Sequence, residues 1–251
     1  MENKEYSISI IIPVFKEEST IERCINESVD FFSNHPRIKN YEIIFAADYS
    51  GDRTIDIIKK EEVSHPQIKL IVNEKRLEKG GSIKIGMLQG RPSDLYLFYD
   101  TDLSTPLDEF NHLLPYIDNN DIVIGSRHMQ GAEIEKSLHK TLISKTLNLV
   151  NFIALGLKIH DTQCGFKLFN RKALKLFKYL TIHSSAFDIE LLYMARKGGL
   201  RIKEIPVKWS DSDVSNFNHF QVIGHFIRDL LKIRLNALKG YYSDYLQDPG
   251  E

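Results

Sequence analysis

Asp100 and Asp102 close the run Leu95-Tyr96-Leu97-Phe98-Tyr99-Asp100-Thr101-Asp102-Leu103-Ser104-Thr105-Pro106, which is apolar up to the first aspartate. Residues two apart point to the same side of an extended chain, and open α/β sheets bind ligands beyond the carboxyl ends of their strands. Two carboxylates there suit a hard divalent cation, which would in turn neutralise a diphosphate. The pattern alone says little, because Asp211-Ser212-Asp213 repeats it in a polar stretch with no strand ahead of it. The apolar strand before Asp100 and the Leu-Ser-Thr-Pro turn after Asp102 set the first pair apart. The structural alternative is that Asp102 shapes a turn or caps a helix starting near residue 107.

Other groups fall at the same level of such a sheet. Ile12-Pro13-Val14-Phe15-Lys16-Glu17-Glu18 leaves the first strand where a nucleotide would sit. Asp48-Tyr49-Ser50-Gly51-Asp52-Arg53-Thr54 follows the second strand, with Asp52 read as a helix cap. Lys79-Gly80-Gly81-Ser82 opens a helix, so its free N–H groups and the Lys79 ammonium are candidates for facing phosphate. Neither a Walker P-loop nor a Gly-x-Gly-x-x-Gly fingerprint is present, which argues against ATPase and dehydrogenase chemistry.

The elements that must position these groups follow from periodicity. Apolar runs at residues 7–14, 41–47, 68–72, 95–99 and 121–125 read as strands, and helical spacing covers 17–32, 54–64, 81–89 and about 107–117. This alternation predicts an α/β protein with a mainly parallel central sheet and helices on both faces. The remainder is less regular. A long helix is expected over 134–155, a strand at 165–169, a helix at 187–196, an extended stretch at 201–209 and a final helix at 217–239. Residues 5–240 are expected to form one two-part unit, with a nucleotide-binding half to about 105, an acceptor half from 106 to about 212, and the last helix.

The chain has 251 residues, 42% hydrophobic and 27% charged, with net charge −1, so nothing suggests a nucleic-acid partner. Cys24 and Cys164 are the only cysteines, too few for a disulfide framework or a thiolate zinc site. No secretory signal pattern opens the sequence, and the expectation is a cytoplasmic protein.

Together these motifs resemble family-two glycosyltransferases of the GT-A fold, most closely the polyprenyl (dolichyl) phosphate sugar transferases of the β-glucosyltransferase-like branch. The resemblance is carried by Pro13 to Glu18, residues 48–54, Lys79-Gly80-Gly81, Asp100 to Pro106 and Gly125-Ser126-Arg127. It continues through Asp161-Thr162-Gln163-Cys164-Gly165-Phe166-Lys167-Leu168-Phe169, Phe187-Asp188-Ile189-Glu190 and Glu204-Ile205-Pro206-Val207-Lys208-Trp209. It implies that Pro13, Val14, Glu17, Asp48, Lys79 and Asp100 bind the nucleotide, and that Asp100 and Asp102 hold Mg²⁺ or Mn²⁺ against the diphosphate. It also implies that Arg127 contacts the acceptor phosphate or the leaving group, and that Asp161, Gln163, Asp188 and Glu190 face the sugar and acceptor. The donor so implied is UDP-glucose, with GDP-mannose as runner-up, and the acceptor is a lipid phosphate. Trp209 reads as packing.

The departures are specific. The family usually has paired aspartates followed by Gly after the second strand, where this chain has Ala47-Asp48-Tyr49. Glu78 stands where Gly usually precedes the Lys, and Asn216 where a basic residue is common.

A phosphate acceptor arrives already ionised, whereas a hydroxyl acceptor in glycan synthesis would need Asp161, Asp188 or Glu190 as general base. A catalytically weak nucleotide-sugar-binding protein is the reading from another class. In the last helix, apolar residues at helical spacing are bordered by His225, Arg228, Lys232, Arg234 and Lys239. That pattern fits either packing on the sheet or peripheral contact with a membrane face.

Overall fold

The computed structural model describes residues 4–135, 155–210, 219–243 and 245. Strands β1 (Tyr6–Val14), β2 (Ile38–Asp48), β3 (Ile68–Asn73) and β4 (Leu95–Phe98) alternate with helices α1 (Ile21–Asn34), α2 (Thr54–Ser64) and α3 (Glu78–Gln89). After a broken helix, α4 (Phe110–Leu113) between two 3₁₀ turns, come β5 (Ile122–Ser126) and a short β6 (Glu133–Glu135). Then follow β7 (Lys167–Asn170), α5 (Leu176–Tyr179), α6 (Phe187–Lys197), β8 (Ile202–Pro206), β9 (Lys208–Ser210) and α7 (His219–Leu238).

One sheet runs in the order β3-β2-β1-β4-β7-β5-β8, and β6 pairs with β9 in a separate ribbon. Only β7 runs against its neighbours, antiparallel to both β4 and β5. The expected α/β architecture with a mainly parallel sheet is therefore present. Alternate residues of β1 serve two cores: Ile8, Ile10, Ile12 and Val14 belong to one with residues of α1 and α2, while Ile11 belongs to the other with residues of α3, α5, α6 and α7. The chain turns from β1 to β2 on one side and reaches β4 on the other. This is the topological switch at which such sheets bind ligands. The last β1–β4 pair is Ile11 with Phe98, so Pro13 and Val14 stand beyond the ladder on that side, at a crevice facing Asp100.

Two expectations need revision. Helix α1 begins at Ile21 and not at 17, because Lys16 is left-handed (φ 61°) and the carbonyl of Glu17 closes a turn with the N–H groups of Thr20 and Ile21. The helix expected over 134–155 begins instead as strand β6, and residues 136–154, like residues 211–218 with the second Asp-x-Asp and Asn216, lie outside those described.

Helix α3 approaches β1 through Gly86, where an added Cβ would lie 2.6 Å from Cγ2 of the buried Ile11. Helix propensity favours Gly86→Ala by about 1 kcal/mol, but overpacking against a fixed strand typically costs about 1–3 kcal/mol. The expected outcome is a lower urea midpoint at unchanged slope. A raised midpoint would mean that Ile11 yields without strain.

Candidate active site

The crevice between β1 and β4 gathers the groups the sequence singled out. Asp100 lies at the end of β4 and is gripped by the Lys79 ammonium from the start of α3, at 2.6 Å to Oδ1 and 2.8 Å to Oδ2. Burial pulls the Lys79 pKa down, but Asp100, Asp188 and Asp102 outweigh it and leave the ammonium above its ordinary value. Leu103 takes a left-handed conformation (φ 52°), and Asp102 accepts the Ser104 N–H at 2.9 Å and its hydroxyl at 2.8 Å. Asp102 thus builds the turn and borders the cleft at once. A cavity of about 20 Å³ is lined by Asp100, Asp102, Ser104, Thr105, Gly165 and Trp209 among others, room for a single water or ion.

Glu17 closes the β1 side. Its carboxylate accepts from the Thr20 hydroxyl at 2.6 Å. Burial, followed by the neighbouring charges of Asp102 and Asp100, lifts its pKa, against hydrogen bonds from Thr20 and Thr101. Glu17 is thus near enough to feel the charges of Asp102 and Asp100 across the crevice.

Asp48, at the end of β2, holds the start of α3. Its buried carboxylate accepts the N–H groups of Leu77 (3.0 Å) and Glu78 (2.9 Å) and the Asn73 amide (2.9 Å). It is the anchor of the α3 N-terminus, and in this arrangement both oxygens are occupied. The N–H groups of Gly80 and Gly81 also find a protein partner, the His183 carbonyl, at 2.7 and 3.4 Å. The reading of these amides as a phosphate cradle is thus corrected, and Lys79 offers the cationic side chain at that end. The glycines are required there: a Cβ on Gly80 would sit 2.5 Å from Phe187 Cβ and 2.9 Å from the His183 oxygen.

On the other side of the cleft, Arg127 forms a fork with Asp161: Nε to Oδ2 at 2.7 Å, Nη2 to Oδ1 at 2.9 Å, and its own backbone N–H to Oδ2 at 2.9 Å. The guanidinium lies 5.5 Å from the Trp209 ring, so Trp209 is both a wall of the cavity and a platform for Arg127. Burial opposes both charges of the pair and each partner reverses it. Asp161 falls to about 2, and Arg127 rises above its ordinary value. Asp161 therefore orients Arg127, and a carboxylate held this far down is a weak general base.

Asp188 and Glu190 part company. Asp188 turns inward, its Oδ1 2.7 Å from the ammonium of Lys167, which is 0% exposed, donates to the Cys164 carbonyl and lies over the Phe98 ring. Burial raises the Asp188 pKa against Lys167 and Lys79. Glu190 lies on another face of α6, where it accepts from the Thr181 hydroxyl (2.6 Å), the N–H groups of Thr181 and Ile182 (2.8 Å each) and the Tyr242 hydroxyl (2.7 Å). It does not reach the cleft, and its expected role is corrected to that of a structural clamp. Both cysteines are buried, with thiols pushed up to about 12 and about 11, which rules out a ready thiolate nucleophile.

Three further contributors went unassigned in the sequence. Gly165 backs directly onto Asp100, and a Cβ there would overlap Oδ2. Lys167 sits in antiparallel register with Phe98, beneath the site. Arg76 lies 4.3 Å over the Phe15 ring at the rim of β1. A Gly at the head of the strand expected over 165–169 was the visible signal for the first. A Lys in an apolar run was the signal for the second.

A sheet with its switch point between β1 and β4, and acidic groups at that crevice, is the arrangement of nucleotide-sugar transferases of the GT-A fold. Residues 9–177 match the sequence profile of Glycosyl transferase family 2, and the chain belongs to that family. A dolichyl-phosphate beta-glucosyltransferase of Trichomonas vaginalis is 34% identical over 255 residues, covering 95% of this chain and 74% of the relative. The Drosophila melanogaster enzyme of the same name is 32% identical, covering 93% of this chain and 76% of its own length. Among solved structures, glucosyl-3-phosphoglycerate synthase from Mycobacterium tuberculosis, in complex with Mn²⁺, UDP and glucosyl-3-phosphoglycerate, superposes with a TM-score of 0.64 at 18% identity, over 92% of this chain and 79% of that one.

Two of the departures now have physical accounts. Tyr49 is an exposed side chain, and the left-handed position of its loop is filled by Gly51 (φ 74°). Glu78 itself has φ 58°, the region that glycine favours, and is held there by its N–H bond to Asp48. A non-glycine residue in that region costs about 1–2 kcal/mol, part of which glycine returns through the freer unfolded chain. Glu78→Gly is expected to raise stability by about 0.5–1 kcal/mol in denaturant titration, and a loss would show that the Glu78 side chain contributes contacts that outweigh the strain.

Asp161 sets an acid limb. Its folded pKa lies below the ordinary 3.8, so its contribution is complete above that value and is lost as pH falls towards about 2. The linkage amounts to about 2 kcal/mol. Asp161→Asn is expected to lower stability at neutral pH by at least that amount and to flatten stability between pH ~4 and ~2. An unchanged acid limb would mean that other carboxylates carry it.

Proposed function

We propose that the protein transfers glucose from UDP-glucose, with inversion, to the phosphate of a polyprenyl phosphate of the dolichyl type. The observation that carries the acceptor is the state of the three carboxylates nominated as general bases. Asp161 is locked on Arg127 with a pKa of about 2, Asp188 is buried against Lys167, and Glu190 is enclosed by Thr181, Ile182 and Tyr242. A hydroxyl acceptor needs a positioned base. A phosphate monoester, with a second pKa near ~6, is already a nucleophilic anion at neutral pH. The names of the relatives favour the same acceptor and the β product.

The chain's work is then to bring two anions together. Lys79 stands by the donor diphosphate, and Arg127, held on one edge by Asp161, would meet phosphate oxygens with the guanidinium donors that Asp161 does not take. Asp100 and Asp102 supply hard oxygen donors that fit Mg²⁺ or Mn²⁺. Among the described residues no group of three or more His, Cys, Asp or Glu is arranged to hold a metal, so diphosphate oxygens would complete the coordination. The cation would neutralise charge on the leaving diphosphate. The Mn²⁺ and UDP in the mycobacterial structure support that choice.

The test is glucose transfer to a short-chain polyprenyl phosphate with Mn²⁺ present. Expected are transfer from UDP-glucose, a rate that levels off above the second phosphate pKa near ~6, and loss of metal-dependent UDP binding in Asp102→Asn with stability changed by less than roughly 1 kcal/mol. Arg127→Lys should reduce transfer much more than UDP binding. Reaction on a sugar hydroxyl alone, or a preference for GDP-mannose, would replace this assignment.

A further inference from the structure

Helix α7 has two apolar faces. Phe226, Leu230 and Ile233 are buried against the rest of the molecule, whereas Ile227 (48% exposed), Leu231 (60%), Leu235 (53%) and Leu238 (73%) face outward, with Tyr241 just beyond. At about 100° per residue the four outward side chains fall within an arc of about 80° and extend along about 17 Å of the helix. Arg228, Lys232 and Lys239 border one side of this stripe and Arg234 the other, all exposed. The helix has one acid, Asp229, which is 4% exposed and bound to the Ser184 hydroxyl at 2.6 Å.

We propose that the outer face of α7 is a docking surface for an anionic lipid bilayer. Leucines inside a rim of cations are what an interfacial helix presents, its apolar side chains entering the acyl boundary while lysines and arginines meet headgroup phosphates. Tyr241 has the amphipathic ring that favours that depth. Charge decides against a second copy of this chain: among the described residues the face offers no exposed carboxylate, so helix-to-helix pairing sets cations against cations, whereas an anionic surface supplies the missing sign. The helix is also coupled to the site. Lys232 and Asn236 bond Thr181, and two residues on the His183 carbonyl receives the Gly80 N–H beside Lys79. Docking through α7 therefore holds the catalytic crevice close to a membrane. The inference stands on this face alone and does not depend on the acceptor.

The experiment is flotation of the full chain with vesicles free of any acceptor lipid, made either of phosphatidylcholine or of phosphatidylcholine with phosphatidylglycerol. Wild type should float with the anionic vesicles and not the neutral ones, and added salt should release it. Leu231→Asp/Leu235→Asp should lower partitioning at least about tenfold, the factor for ~1.4 kcal/mol, with an unchanged melting temperature and unchanged UDP binding. Arg234→Glu/Lys239→Glu should do the same through charge alone. Wild type that stays in solution, floats equally with neutral vesicles, or forms a dimer that the leucine variant dissolves would overturn the proposal. Because no acceptor is present, none of these results bears on the transfer reaction.

Discussion

The grip of Lys79 on Asp100 joins the two sides of the crevice, and much of the surrounding structure serves to make it possible. Lys79 is where it is because Asp48 holds the N–H groups of Leu77 and Glu78 from below, and His183 holds those of Gly80 and Gly81 from the side. Asp100 is where it is because Gly165 leaves room for its carboxylate. The pair thus balances one positive and one negative group at the carboxyl ends of the strands, where open α/β sheets bind ligands.

Beyond this pair, charge is arranged in closed couples. Arg127 with Asp161 and Lys167 with Asp188 are each buried and each lie against an aromatic ring, Trp209 and Phe98. Buried couples contribute little net stability compared with apolar residues of the same volume, but losing one member is severe. They hold geometry, here the orientation of a guanidinium at the mouth of the site and the floor beneath Asp100.

The parallel strands and their helices were legible because, over residues 7–99, continuous apolar runs alternate with stretches at helical spacing, and the motif at Asp100 was legible because a strand delivers it. The direction of β7 was not, since side-chain alternation is the same whichever way a strand runs. Neither was the helix at Leu176–Tyr179, a single turn too short to show a period. The helix-anchoring bonds of Asp48 were not legible, because a carboxylate at a strand end looks alike whether it meets a ligand or a helix terminus. Glu190 was open to better reading: two residues along a helix is a rotation of about 200°, so Asp188 and Glu190 could never face one cleft together.

The reversed strand has a consequence for how the chain is made. Strands β1 to β4 can pair as soon as Phe98 is synthesised, yet the neighbour that covers the outer edge of β4 is β7, roughly 70 residues later in the chain. Until then an apolar edge stands open, the condition that invites pairing with other chains. The chain must therefore be made as far as Asn170 before this sheet can shield its own middle.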